Sequence, residues 1–300
     1  MRFGLLIPNW APYDQDLMIR MCVEAEELGV DQVFFTDHLM NPYGPRMNLP
    51  EQTVEVWTLM AHLAAKTSRV RLATAVTPIS LRHPALLAKM VATVDNLSNG
   101  RVVLGVGTGW HQPEYDAYGD SEYGTPATRK ARMREGLDLI RRLWTEDEVT
   151  FKGEYYSVTN CVVAPKPLQK PYPPLWIGGY RPHMLEYAAM LGDGWIPWNR
   201  PVPFYTECVQ EIRRQAKAQG REGKIVLGTG VLVLPDRLRN EKFPLVHGDP
   251  PNLTIGALPP RIEEYAKAGA EFFGIMIFPE TDALQSLRQF GREVMPQFRK

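Results

Sequence analysis

The run GVDQVFFTDHLMNPYG, Gly29 to Gly44, decides how the chain is read. Gly29 suits the end of a helix, because a residue without Cβ enters the left-handed turn that stops one at little cost. The mostly apolar stretch Gln32 to Thr36 is short enough for a buried strand, and a loop containing Pro42 and Gly44 closes the run. A strand bounded in this way and running straight into Asp37 and His38 brings two titratable groups to an edge that a ligand can reach. Neighbours on a strand project to opposite sides, so one of the pair is expected to aim along the axis of the fold and the other away from it.

The same alternation spreads outward in both directions. Before the run, FGLLIP precedes a helix from about Asp14 to Leu28, with Leu17, Met21, Ala25 and Leu28 on one face. After it, a helix near Glu55 to Lys66 leads to RVRLATAV and then to HPALLAKMVATVDNL. There Leu86, Leu87, Met90, Val91, Val94 and Leu97 read as an apolar stripe. RVVLGVGTG is followed by a helix at roughly Thr128 to Trp144, and PLWIGG, DGWIPW, KIVLGTGVLVL and FFGIMIFP complete eight strand–helix pairs. The expectation is an α/β chain folded as one (β/α)8 TIM barrel domain over residues 1–300, with insertions on its C-terminal face. Periodicity does not show closure, so an open doubly wound sheet is the alternative. Three segments interrupt the repeat: Trp110 to Ala127, Val149 to Pro173, which reads as a hairpin around Lys152-Gly153, and the proline-rich Pro235 to Pro260, which reads as an extended loop.

Bulk properties narrow the partners. Lys plus Arg and Asp plus Glu both number 34 in 300 residues, without a basic stripe, which argues against a nucleic-acid or anionic-membrane surface. Cys22, Cys161 and Cys208 lie far apart and form no CxxC, so neither a disulfide scaffold nor a zinc knuckle is indicated and a reducing cytoplasm is expected. MRFGLLIPNW is unlike a secretory leader, and no stretch approaches membrane-spanning length.

If the barrel forms, strand ends supply Asn9, Asp37, His38, Thr77, Gly107 to His111 and Gly178-Gly179 to one mouth. His38 is the candidate proton carrier, since an imidazole titrates near neutrality; its alternative is a hydrogen bond to loop backbone. GVGTGW has the spacing G-x-G-x-G rather than the dinucleotide fingerprint, and its glycines either let a flat ring lie against backbone beside Thr108 or simply turn the chain. In WIGGYRPHMLEYAA a helix starts just after Gly178-Gly179, where backbone amides can hold a phosphate and Arg181 adds charge. Trp110, His111, Glu114 and Tyr115 mix an aromatic wall with polar tips. His111 and Glu114 lack further partners at metal-ligand spacing, so no metal site is expected. No G-x-S-x-G, Walker loop or Cys-His arrangement is present, which lowers acyl and phosphoryl transfer.

Together FGLLIPNW, FFTDH, TAVTPISLRHPALLAKMVATVDNLSNGRVVLGVGTGWHQPEYDAYG and PPLWIGGYRPHMLEYAAMLGDGW resemble the bacterial luciferase-like superfamily, in particular its oxidoreductases that use the deazaflavin coenzyme F420. The resemblance implies a barrel with insertions and a tricyclic ring in its mouth, backed by a bulge with a non-proline cis peptide at Ala75-Val76. It implies a coenzyme site drawn from Asp37, Ala75, Val76, Thr77, Gly107, Thr108, Gly109, Ile177, Gly178 and Gly179, with His38 as the catalytic group. Trp110, Tyr43 and Trp10 are the implied substrate walls. In the sugar-phosphate dehydrogenase branch the residue after Thr-Gly is a glutamate, whereas here it is Trp110, so that branch's substrate and acid–base scheme are not carried over. The expected chemistry is reversible hydride transfer between deazaflavin C5 and a small organic molecule, in a homodimer. The rivals are an FMN-dependent monooxygenase of the same superfamily and a coenzyme carrier without turnover.

Overall fold

Side chains alternate across each strand, and in this chain the alternation fills two separate cores. A computed structural model describes residues 1–44, 48–118, 122–238 and 253–299. Among these, eight parallel strands form the main sheet: β1 (Arg2–Ile7), β2 (Gln32–Phe35), β3 (Arg71–Thr74), β4 (Val102–Gly107), β5 (Leu175–Gly178), β6 (Gly194–Ile196), β7 (Val226–Val233) and β8 (Phe272–Ile277). They pair in the order β3-β2-β1-β8-β7-β6-β5-β4, and β3 returns to β4 through Leu72 opposite Val102 and Ala73 opposite Val103. That last pairing closes a barrel and rules out the open sheet. Beyond β3, the two residues Thr77–Pro78 continue along Val106 and Gly107 of β4.

Around the barrel run α1 (Gln15–Glu27), α2 (Val56–Lys66), α3 (Pro84–Leu97), α4 (Gln112–Tyr118), α5 (Pro126–Thr145), α6 (Pro182–Leu191), α7 (Val202–Ala218), α8 (Leu258–Lys267) and α9 (Ala283–Gln289). Their starts follow from local chemistry. Asp14 accepts the Leu17 N–H at 2.7 Å and Thr125 accepts the Thr128 N–H at 3.1 Å, each satisfying an amide that the first helical turn leaves unpaired. Pro84, Pro126 and Pro182 sit in first turns, where the missing donor costs nothing.

Inside the cylinder, Leu6, Phe34, Ala73, Val103, Trp176, Ile196 and Phe272 form one cluster. The rings of Phe34, Trp176 and Phe272 pack at centroid separations of 5.2 to 5.7 Å. They fit because Gly4 has no side chain; a Cβ there would lie 2.4 Å from the Phe272 ring. The alternate residues, such as Leu5, Val33, Leu72, Leu104 and Ile177, face the helices in a second, larger core. Each fully buried aliphatic or aromatic side chain contributes about 1.5–3 kcal/mol of transfer free energy.

The helix faces differ in part from the sequence expectation. In α1 the buried side is Met18, Met21, Cys22 and Ala25, with Leu17 and Leu28 only half-buried. In α3 the buried residues include Leu87, Ala88, Val91, Ala92 and Val94, whereas Leu86 is 55% and Leu97 60% exposed. The reason is Asp95, which is buried and accepts from the Gln169 backbone N–H at 3.0 Å and its side-chain amide at 2.7 Å. A polar residue inside rotates the helix away from the stripe that hydrophobicity alone picks out. The hairpin is found, Val149–Lys152 against Ser157–Cys161, and the first insertion contains α4. Much of the third insertion, residues 239–252, lies outside the described residues. Among the described residues, no helix is long and apolar enough to cross a membrane.

Candidate active site

At the carboxyl end of the barrel two clefts meet. One, about 520 Å³, is lined by Leu6, Trp10, Thr36, His38, Tyr43, Ala75, Trp110, Tyr180, Trp198, Arg200, Leu232, Met276 and Phe278, among others. The other, about 740 Å³, passes over Val76, Gly107, Thr108, Gly109, Gly178 and Gly179 to Arg129, Arg181 and His183. His38, Ala75, Trp110 and Tyr180 line both, so the imidazole stands at the junction.

The His38 main chain is held before its side chain acts. Asn9, fully buried at the end of β1, donates from Nδ2 to the His38 carbonyl at 2.8 Å and to the Val54 carbonyl at 2.7 Å. The imidazole Nδ1 lies 3.1 and 3.0 Å from the two carboxylate oxygens of Glu114, on α4. Glu114 Oε1 also accepts the N–H groups of Leu39 at 2.6 Å and Met40 at 3.2 Å. Burial works to raise the Glu114 carboxyl, but the hydrogen bond and charge of His38 and the two amides outweigh it and hold it below the ordinary carboxylate range. An ionised Glu114 fixes the proton on Nδ1, which leaves Nε2 as the proton-accepting atom. Trp10 and Trp110 rings flank the imidazole edge-on at 5.1 and 5.6 Å.

Asp37 turns the other way, as strand alternation requires. It pairs with Arg82 through two contacts of 2.8 Å, and Arg82 reaches Glu55 at 2.8 Å. Thr77 Oγ1 donates to Asp37 at 2.8 Å. Burial opposes the Arg82 charge, but Asp37 and Glu55 overcome it and raise its pKa above the ordinary arginine value. This network ties the ends of β2 and β3 together.

The expected site residues therefore divide. His38, Ala75, Val76, Gly107, Thr108, Gly109, Gly178, Gly179 and the walls Trp10, Tyr43 and Trp110 come together at the clefts. Asp37, Thr77 and Ile177 are not among the lining residues: Asp37 is engaged with Thr77 and with Arg82, and Ile177 faces the helices. The peptide Ala75-Val76 is cis. The glycines also make room for neighbouring side chains. A Cβ on Gly107 or Gly178 would lie 2.6 Å from a Val76 methyl, and one on Gly109, at φ +76°, would lie 2.0 Å from the Tyr115 hydroxyl. Their missing side chains make room for Val76 and Tyr115.

Sequence reasoning named Glu114 only as a polar tip and did not pair it with His38, 76 residues away. The usable signal was an acid in the first turn of a short helix that begins just past a strand end. Arg82 and Arg129 were not anticipated either. Arg129 lines the second cleft, and its Nε is buried without a partner. His183 nearby is held below its ordinary value, first by burial and then by the positive charges of Lys130 and Arg181. With the α6 N-terminus pointing into it, this end of the cleft suits an anion.

Comparison with known proteins agrees with this architecture. A model of the family described as luciferase-like monooxygenase matches residues 1–241. An F420-dependent glucose-6-phosphate dehydrogenase of Kineococcus radiotolerans is 36% identical over 211 residues, which are 68% of this chain and 59% of the relative. One of the same name from Amycolatopsis mediterranei is 38% identical over 182 residues, 60% of this chain and 52% of the relative. The chain thus spans little more than half the length of these relatives. Among solved structures, an F420-dependent secondary alcohol dehydrogenase in complex with an F420-acetone adduct superposes with a TM-score of 0.84 at 21% identity, covering 100% of this chain and 99% of its own. A monooxygenase from Streptomyces bottropensis does so at 0.79 and 22%, covering 100% of both, and at such identities the two show the fold. With its family model matched over four fifths of its length, the chain belongs to the luciferase-like monooxygenase family.

Proposed function

We propose that the chain is a coenzyme F420-dependent oxidoreductase that moves a hydride reversibly between deazaflavin C5 and a small organic substrate. The observation that carries this reading is the His38–Glu114 pair at the junction of two clefts, one apolar and one ending in positive charge. Relatives at 36 and 38% identity named as F420-dependent support the choice of coenzyme. The residues present fit such a group: Ala75, Val76, Thr108, Gly109, Gly178 and Gly179 would border it, and the unpartnered Arg129 Nε with Arg181 would meet its phosphate.

When bound, the deazaflavin supplies the hydride-exchanging carbon and, unlike a flavin, reacts poorly with oxygen. In the oxidative direction His38 Nε2 takes the hydroxyl proton while the hydride leaves the same carbinol carbon, so the alcohol loses two electrons and one proton reaches the imidazole. Glu114 stabilises the imidazolium that forms. Trp10, Tyr43 and Trp110 orient the substrate and exclude water, keeping donor and acceptor carbons in line.

Replacing His38 by alanine is expected to lower kcat by about 100- to 10,000-fold, the range general acid–base groups contribute, while the coenzyme still binds. Unchanged turnover would remove the role. FMN chemistry is the second reading, supported by the family's description as monooxygenases. As a whole the chain is read as a single domain in a homodimer. Leu86 and Leu97, exposed three turns apart on α3, support the dimer, and unpaired Cys22, Cys161 and Cys208 are in keeping with a reducing, cytoplasmic setting. A small-molecule substrate, rather than nucleic acid or membrane, completes the reading.

A further inference from the structure

The two clefts differ in chemistry, and the difference bears on the substrate. Around the first, Trp10, Tyr43, Trp110, Tyr180, Trp198 and Phe278 form an aromatic box. Three of these rings contact one another: Trp10 and Tyr43 lie 5.9 Å apart, Tyr43 and Trp110 6.0 Å. Most of the remaining wall is aliphatic. Among the described residues of this lining there is no carboxylate, and apart from His38 the cation is Arg200. That guanidinium lies 4.4 Å from the Tyr180 ring centroid and donates from Nε to the Trp198 carbonyl at 3.0 Å.

Two polar side chains of this lining, Thr36 and Tyr13, are used internally. Thr36 Oγ1 donates to Asn9 and accepts its N–H, and the Tyr13 hydroxyl donates to the Ile277 carbonyl. The charge complement for a phosphate lies in the other cleft, at Arg129 and Arg181. A dianion brought into the first cleft would lose hydration against aromatic faces, with one stacked guanidinium among the described lining residues to receive it, and burying a charge so poorly paired is costly. An uncharged ring would instead gain from every wall it touches.

We propose that the substrate of this site is an uncharged, mainly apolar cyclic alcohol or ketone, alicyclic or aromatic, and not a sugar phosphate. Its oxygen meets His38 Nε2, and its ring packs among Trp10, Tyr43 and Trp110. Trp110, 52% exposed and shared by both clefts, is the specificity-determining residue. This inference rests on the oxidoreductase reading above, but its test separates the two.

The experiment is isothermal calorimetry of the purified protein with 1-indanol and with glucose 6-phosphate, run without coenzyme and again with F420 added, with F420 binding itself followed by fluorescence. The expected result is a dissociation constant for 1-indanol lower than that for glucose 6-phosphate by about 100-fold or more, as a mismatch of polarity produces. Trp110→Glu should weaken 1-indanol by about 10-fold. Equal or tighter binding of glucose 6-phosphate, in either series, overturns the inference, as does a Trp110→Glu variant that binds 1-indanol as wild type does. Absent F420 binding would refute the coenzyme reading instead, while the series without coenzyme still decides the substrate class.

Discussion

At the scale of single residues, the proposed catalysis rests on how the His38 imidazole is held. Glu114 binds its Nδ1 and the amides of Leu39 and Met40 with one carboxylate, so a single side chain sets both the tautomer and the loop behind it. Glu114→Gln removes the charge but keeps the shape, and kcat is expected to fall by about 10- to 100-fold, the usual effect of losing an orienting partner. Stability carries the same signature. Because the folded Glu114 carboxyl lies below its ordinary value, its contribution is complete above about pH 4.3 and is lost as pH falls through the lower folded value. Denaturant unfolding across pH should therefore show the gap between wild type and Glu114→Gln narrowing as the solution is acidified below about pH 4; a gap constant with pH would contradict this. His38 was legible because a strand end exposes it, and Asp37 was legible as its opposite-facing neighbour. Glu114 was not, since a contact spanning 76 residues leaves no local pattern.

Among the elements, the buried network of Asp37, Arg82, Glu55 and Thr77 connects β2, β3 and the start of α2. Asp37 is fully buried, so removing its partner leaves an uncompensated charge. Arg82→Met is expected to destabilise the fold by about 3–5 kcal/mol, read as a lowered Tm, with the carboxyl end of β2 loosened. A loss under 1 kcal/mol would show that the network is dispensable. The hairpin at Val149–Lys152 and Ser157–Cys161 could be read in advance because alternating β-formers flank a Lys-Gly turn. The seven-residue α4 could not: it is too short to display a period, and Pro113 and Asp116 disguise it. In α3 the apolar stripe was misplaced because Asp95 is inside, bonded to Gln169.

For the molecule as a whole, the strand–helix rhythm announced a barrel, but closure depends on a pairing between β3 and β4 that no periodicity encodes. Barrel closure gathers strand ends scattered along the sequence into one mouth, and the two clefts with opposite chemistry arise only there. Assembly is testable on the outer surface. If Leu86 and Leu97 lie in a dimer interface, Leu86→Lys with Leu97→Lys should shift the mass found by light scattering from dimer to monomer without loss of helical signal; a monomeric wild type would refute the dimer. The central claim is that the joined clefts hold a deazaflavin beside His38, and equilibrium titration of the purified protein with F420 and with FMN tests it most directly. Saturable quenching by F420 is expected, with a dissociation constant at least about 10-fold below that for FMN, a difference of about 1.4 kcal/mol. Tight binding of FMN with none of F420 would contradict it.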